Sequence, residues 1–273
     1  MVKTRISLSI DKGVLEKLDR TVNKITIMSR SEAVEKIIET HVSMEKTAVI
    51  LAGGEPEKLY IKELSAYRPL VKINNTPLIV DIIRKVRQAG YTSVIIIGAK
   101  EVLSAIYNNA GDGKELNVRI DYVEEKEHLG SGKSLSLAKP YIKNTFLLLP
   151  CDHYFEIDLS DLEQYHQRNK KAATLVVYAG TEDEWNKSSI VRLEGNLIVD
   201  YIDRPKKADT HLTAIMIGLM EPAVFNSIPP GKISWSLQEN VFPALAKKRE
   251  LVGYIFAGKW RNVHTKADVE SVK

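Results

Sequence analysis

With 273 residues, 44% of them hydrophobic and 27% charged, the chain holds enough apolar material for one large domain or a small one joined to a medium one. No apolar run approaches the ~20 residues of a membrane-spanning helix, and Met1-Val2-Lys3-Thr4-Arg5 leads into alternating residues, unlike a signal peptide. Cys151 is the only cysteine, which excludes an intramolecular disulfide and suits a reducing, cytoplasmic setting; a net charge of +4 is too mild to establish nucleic-acid binding.

Residues 4–10 alternate strictly, with Ile6, Leu8 and Ile10 on one side and Arg5, Ser7 and Ser9 on the other, which predicts a strand. Asp11 offers an N-cap acceptor to a helix whose stripe is Val14, Leu15, Leu18 and Val22. After a break at Ile25-Thr26-Ile27, the tetrapeptide Ser29-Arg30-Ser31-Glu32 reads as a capping box opening a second helix with Ala33, Val34, Ile37, Ile38 and Val42 on its apolar face. A strand and two short helices cannot close a core alone, so two copies are expected to pair their strands across a two-fold axis. Arg5, Ser7 and Ser9 of both chains would then face a DNA major groove, and the second helix's first amides near Ser29 and Arg30 would hold a phosphate.

The runs Arg5-Ile-Ser-Leu-Ser-Ile-Asp and Ser29-Arg-Ser-Glu-Ala, in this order and spacing, resemble the ribbon-helix-helix family of repressors and antitoxins over residues 3 to about 43. The resemblance implies double-stranded DNA as a partner and a homodimer or higher homo-oligomer. Ile27-Met28 stands where that family often has glycine. The bland alternative is an edge strand and helical hairpin that only dimerise the protein.

From residue 45 the pattern changes to strand and helix in alternation, as in a parallel sheet covered on both faces. Two domains follow, 1–44 and 45–273. Strands are predicted at Thr47–Leu51, Val94–Ile97, Val118–Val123 and Phe146–Leu149, helices at Leu78–Ala89 and Ser131–Lys139, and a hairpin at Ile190–Leu193 and Leu197–Ile202 through Gly195-Asn196. Ligands in such sheets lie beyond the carboxyl ends of the strands. Gly53-Gly54 after the first strand, Gly130-Ser131-Gly132 before a helix, and Asp152 after the fourth strand converge on that edge, the last as a candidate magnesium ligand. Ser131-Gly132-Lys133-Ser134 is not a Walker phosphate loop, because Glu127 occupies the required first glycine.

Over residues 47–268 the ordered motifs resemble the sugar-1-phosphate nucleotidyltransferases: Leu51-Ala52-Gly53-Gly54, Arg68-Pro69-Leu70, Pro77-Leu78, Gly111-Asp-Gly113, Glu125, Leu129-Gly130-Ser131, Asp152, Asp203-Arg204-Pro205, Phe242-Pro243 and Trp260. The resemblance implies a Rossmann-like, GT-A-type α/β fold with a mixed, mainly parallel sheet, and a reaction joining a nucleoside triphosphate to a sugar 1-phosphate with release of pyrophosphate. It places a nucleotide at Ala52, Gly53, Gly54, Lys58, Glu125, Gly130 and Ser131. The sugar phosphate falls at Arg68, Asp203 and Arg204, and magnesium at Asp152, with Asn262 in the second ligand position. Glu125 would accept from guanine N1 and N2, or is a solvated loop charge. Several positions depart from the family: Pro56-Glu57-Lys58 for Gly-x-Arg, Arg68 and Arg204 for lysines, Asn262 for aspartate, His264 for glycine, and Thr213-Ala214-Ile215 for Asn-Ala-Gly, where Ile215 would crowd the sugar.

These departures favour a DNA-binding transcriptional regulator whose second domain binds a nucleotide or nucleotide sugar with weak or no catalysis. The alternatives are an active nucleotidyltransferase dimerised or autoregulated by its first segment, and a DNA-associated structural protein. Cys151 reads as a buried packing residue, and His153 and His264 show no metal-ligand spacing.

Overall fold

The computed structural model describes residues 6–42, 45–179, 188–207 and 212–272. The chain divides into two compact units, Met1–Glu45 and Lys46–Lys273.

In the first unit Asp11 caps α1 (Lys12–Thr21), its carboxylate accepting from the amides of Gly13 and Val14. Asn23 Oδ1 accepts from the amides of Ile25, Thr26 and Ile27, which holds the break after the helix. Ser29 Oγ accepts from the Glu32 amide as α2 (Arg30–Val42) begins, and the Glu32 carboxylate reaches back to the Met28 amide at 2.6 Å. The two helices are tied by Arg30, whose Nε and Nη2 donate to Asp19 at 2.6 and 2.7 Å.

The ribbon expectation is corrected here. Residues 6–10 form no strand; Ile6, Ser7, Leu8, Ser9 and Ile10 are exposed, and Arg5 lies outside the described residues. A strand needs a hydrogen-bonded neighbour, and no described segment pairs with this one. Arg30 is committed to Asp19 and Ser29 to its own helix, so neither stands as a ready phosphate contact.

The second unit is built on nine strands in one sheet. They are β1 (Thr47–Ala52), β2 (Ser93–Gly98), β3 (Arg119–Glu124), β4 (Phe146–Pro150), β6 (Ala173–Tyr178), β7 (Ser189–Glu194), β8 (Leu197–Asp203), β9 (Thr213–Met220) and β10 (Leu251–Phe256); β5 (His153–Phe155) and β11 (Trp260–Asn262) form a small separate ladder. The order is β6-β10-β8-β7-β9-β4-β1-β2-β3. β1 pairs parallel with β2 and β4, and β2 with β3, whereas β9 meets β4, β6 and β7 antiparallel. The sheet is therefore mixed: all parallel in the half that the strand–helix alternation covers and largely antiparallel beyond it, where only β6 and β10 pair in parallel.

Buried alternation along β1 explains why it is central. Ala48, Ile50 and Ala52 enter the core on one face with α4 (Leu78–Gln88) and α5 (Lys100–Ala110). Val49 and Leu51 enter the core on the other, with Leu135 of α6 (Ser131–Ser136) and Phe242 and Leu245 of α8 (Phe242–Lys247). No described helix is long and apolar enough to cross a membrane.

Candidate active site

The carboxyl ends of β1 and β4 open onto a cleft of 250 Å³. Gly53, Gly54, Arg68, Glu125, Gly130, Ser131 and Asp152 line it, together with His128, Ser134 and Met216. A second hollow of 600 Å³ shares Glu125 and His128 and extends past Pro56, Tyr67 and Lys100.

Glu125, just after β3, is 4% exposed and is no solvated loop charge. One carboxylate oxygen accepts from the Gly54 amide at 3.0 Å and the other from the Ser134 hydroxyl; His128 Nδ1 lies 3.6 Å away. Gly53 makes this possible, since a Cβ there would sit 2.3 Å from Glu125 Oε2. A carboxylate has about four acceptor sites. Two are in use here, and Glu125 lines both hollows.

Gly130 and Ser131 serve the fold more than an anion. A Cβ on Gly130 or Gly132 would lie 2.8 Å from the Trp235 carbonyl oxygen, which the Gly132 amide already meets at 2.9 Å. Ser131 Oγ donates to Gln238 and accepts from the Leu237 amide. Lys133 turns away to the carbonyls of Pro229 and Gly231, which agrees with setting the Walker reading aside.

Arg68 opens a single 3-10 turn and donates from Nη1 to Asp152 Oδ2 at 3.1 Å. Its Nε is buried without a hydrogen-bond partner among the described residues. His264 Nε2 approaches the same aspartate oxygen at 3.5 Å. Burial pushes the Asp152 carboxyl upward, but the His264 hydrogen bond and the charges of His153, His264 and Arg68 outweigh it and bring the group to about 2. His153 is buried behind it, accepts from the Trp260 indole at 3.2 Å, and is lowered to about 4, chiefly by burial. Asn262, on β11, pairs with His153 across the ladder, and its Oδ1 is buried with no hydrogen-bond partner among the described residues.

Other expected residues lie elsewhere. Lys58, in the short helix α3 (Pro56–Leu59), points to solvent and pairs at 2.9 Å with Glu55, the residue before that helix. Ala52 is buried under the cleft floor. Asp203, ending β8, accepts from Ser189 Oγ and from Arg204 Nε; Arg204 is exposed and has φ +47°, and neither residue lines the 250 Å³ cleft. The crowding expected of Ile215 is corrected: Ile215 is buried in the core, and its neighbour Met216 reaches the cleft because alternate strand residues face opposite ways.

The donor set fits a divalent cation, with a carboxylate in Asp152 and an orphaned amide oxygen in Asn262. Among the described residues no three of His, Cys, Asp and Glu cluster tightly enough to hold a metal by themselves. An ion here would therefore need the Asn262 amide oxygen beside Asp152. His128, Ser134 and Met216 were not singled out from sequence. Ser134 had a legible signal, since it lies one helical turn after Gly130.

A glycine-lined cleft at the carboxyl edge of parallel strands places the protein among α/β nucleotide-binding proteins. The family model described as Nucleotidyl transferase matches residues 47–272, and the chain belongs to that family. The mannose-1-phosphate guanylyltransferase of Mycobacterium tuberculosis is 27% identical over 81% of this chain and 62% of its own length. The mannose-1-phosphate guanyltransferase of Schizosaccharomyces pombe is 26% identical over 79% and 60%. The chain thus spans about 60% of the length of these relatives. A Bacillus anthracis structure, named as a glucose-1-phosphate thymidylyltransferase in complex with a sucrose, superposes with a TM-score of 0.74, covering 83% of this chain and 93% of that one at 20% identity. These findings overturn the regulator reading, because the matched region accounts for most of the chain and its relatives carry transferase names.

Proposed function

We propose that the chain is a sugar-1-phosphate nucleotidyltransferase, with guanosine triphosphate and a hexose 1-phosphate such as mannose 1-phosphate as its substrates. The observation that carries this reading is the buried Glu125 carboxylate, held by Gly54 and Ser134 at the mouth of a cleft that also contains Arg68 and Asp152. Guanine presents N1–H and the N2 amino group side by side, and a carboxylate is the complementary acceptor. The relatives' names point to the same base.

In the reaction, an oxygen of the sugar phosphate attacks the α-phosphorus in line. The bond to the β-phosphate breaks and pyrophosphate leaves. Arg68 supplies a fixed positive fork for phosphate oxygens. Gly53 leaves the room that the Glu125 carboxylate fills, and Asp152 with Asn262 would hold a divalent cation. Such a cation, when bound, neutralises charge that builds on the phosphates. Asp203 and Arg204 belong to the sugar-phosphate side of the site in this reading.

The test is pyrophosphate release by the full chain with GTP, dTTP or UTP against mannose 1-phosphate or glucose 1-phosphate. We expect GTP to be preferred, with turnover on the order of 1–10 s⁻¹. No release with any pair overturns the enzyme reading, and preference for dTTP or UTP overturns the base assignment.

A homodimer through the first unit is also proposed. Its exposed Ile6, Leu8, Ile10, Val14, Ile37 and Ile38 are more than so small a unit can cover, and a second copy offers the same apolar set.

A further inference from the structure

Three observations meet at the strand that carries Asn262. First, Asn262 Oδ1 is buried with no hydrogen-bond partner among the described residues, so it is open to a donor or a cation. Second, β11 is locked beside the Asp152 turn: Asn262 pairs with His153, and the Val263 amide donates to the Asp152 carbonyl at 2.8 Å. Third, His264 Nε2 lies 3.5 Å from Asp152 Oδ2. Two ligands of one ion at bond lengths of about 2.1 Å and right angles stand about 3 Å apart, so this spacing needs only a small adjustment. The His264 side chain is half-exposed beside Asp152, while its backbone amide is anchored separately by Asp268.

We propose that Asp152, Asn262 and His264 form a carboxylate–amide–imidazole site that takes manganese(II) or cobalt(II) in preference to magnesium. The chemistry follows from the donors. Magnesium is small and hard, sheds water reluctantly, and is held chiefly by carboxylates and phosphates. Replacing a carboxylate by a neutral amide removes charge that magnesium depends on, and adding an imidazole rewards first-row transition ions. Arg68 shares Asp152 Oδ2, so the cation competes with a guanidinium and binds more tightly once a triphosphate draws Arg68 toward its own oxygens. That last point rests on the proposed function; the metal preference does not.

The experiment therefore uses metals alone on the full chain. Manganese binding is followed by loss of the free-ion electron paramagnetic signal, cobalt by visible absorption, and magnesium by competition against manganese. We expect manganese and cobalt to bind at least about tenfold more tightly than magnesium. His264→Ala should reduce that ratio several-fold and alter the cobalt spectrum, with His264→Gln as a second variant if alanine disturbs folding by circular dichroism. Asn262→Asp should strengthen magnesium and narrow the gap. Equal affinity for magnesium and manganese overturns the proposal. So does an unchanged ratio and spectrum in the His264 variants, or no binding of any ion up to about 10 mM, well above ordinary enzymatic working concentrations. Loss of pyrophosphate release with the metal preference intact would instead sink the proposed reaction and leave this site standing.

Discussion

At Gly53 the room for a side chain is taken by the Glu125 carboxylate, so Gly53→Ala should push that carboxylate off the Gly54 amide. A lost charge-assisted hydrogen bond is worth about 1.5–3 kcal/mol, which predicts a lower thermal midpoint, together with a higher KM for GTP because the carboxylate is displaced. Glu125→Gln keeps the shape but turns one acceptor into a donor, and it should cost GTP more than it costs UTP; equal losses would remove Glu125 from base selection. Arg68→Ala should lower kcat by about a hundredfold or more, as when a preorganised charge donor is removed, while Arg68→Lys should keep a substantial part of the rate in the same pyrophosphate assay. Glu125 and Arg68 were legible in the sequence because their motifs stand in order. The partners of Glu125 were not, since Ser134 and Gly54 meet it only through folding. The sequence also misplaced the role of Ile215, because one residue of register on β9 decides which of Ile215 and Met216 faces the cleft.

The parallel half of the sheet was readable element by element: β1, β2, β3, β4 and α4 fall close to their expected limits, and the β7–β8 hairpin joins through Gly195-Asn196 as its turn residues require. Legibility ended near Pro150 for a physical reason. Beyond it strands follow one another with few intervening helices, so the alternation that argues for parallel pairing no longer applies, and Thr213–Met220 is an apolar run without a face pattern. At the other end, the period-2 pattern of residues 6–10 was real, but a pattern is not a strand until something pairs with it. Helix α6 illustrates how an element can be mistaken for a ligand loop. Its glycines pack on Trp235, so Gly132→Ala should force α6 from that carbonyl and destabilise the unit by about 1–3 kcal/mol in denaturant unfolding. An unchanged midpoint would mean that the contact yields without cost.

For the molecule as a whole, the division at residues 45 and 46 and the family match from residue 47 put the whole matched region, and with it the proposed reaction, in the second unit. A chain lacking residues 1–44 should therefore keep its kcat within about twofold, the spread of an ordinary distant change, while its mass by light scattering falls from dimer to monomer. Retention of the dimer would move the self-association surface to the second unit, and loss of turnover with the fold intact would show that the first unit contributes to the site.

One consequence of the strand order concerns how such molecules avoid one another. Because β6 pairs with β9 as well as β10, the strands β6, β10, β8, β7 and β9 close into a ring, and β3 is left as the unprotected margin of the large sheet. An open margin is a template for a neighbouring chain. Here it carries Arg119, Asp121 and Glu124, with Arg119 reaching toward Asp121 at 3.5 Å, so an incoming strand would have to strip charged groups of water before it could pair. Substituting valine at Arg119 and Asp121 together should therefore raise the tendency of chains to join along β3, read as a rise in light scattering with protein concentration.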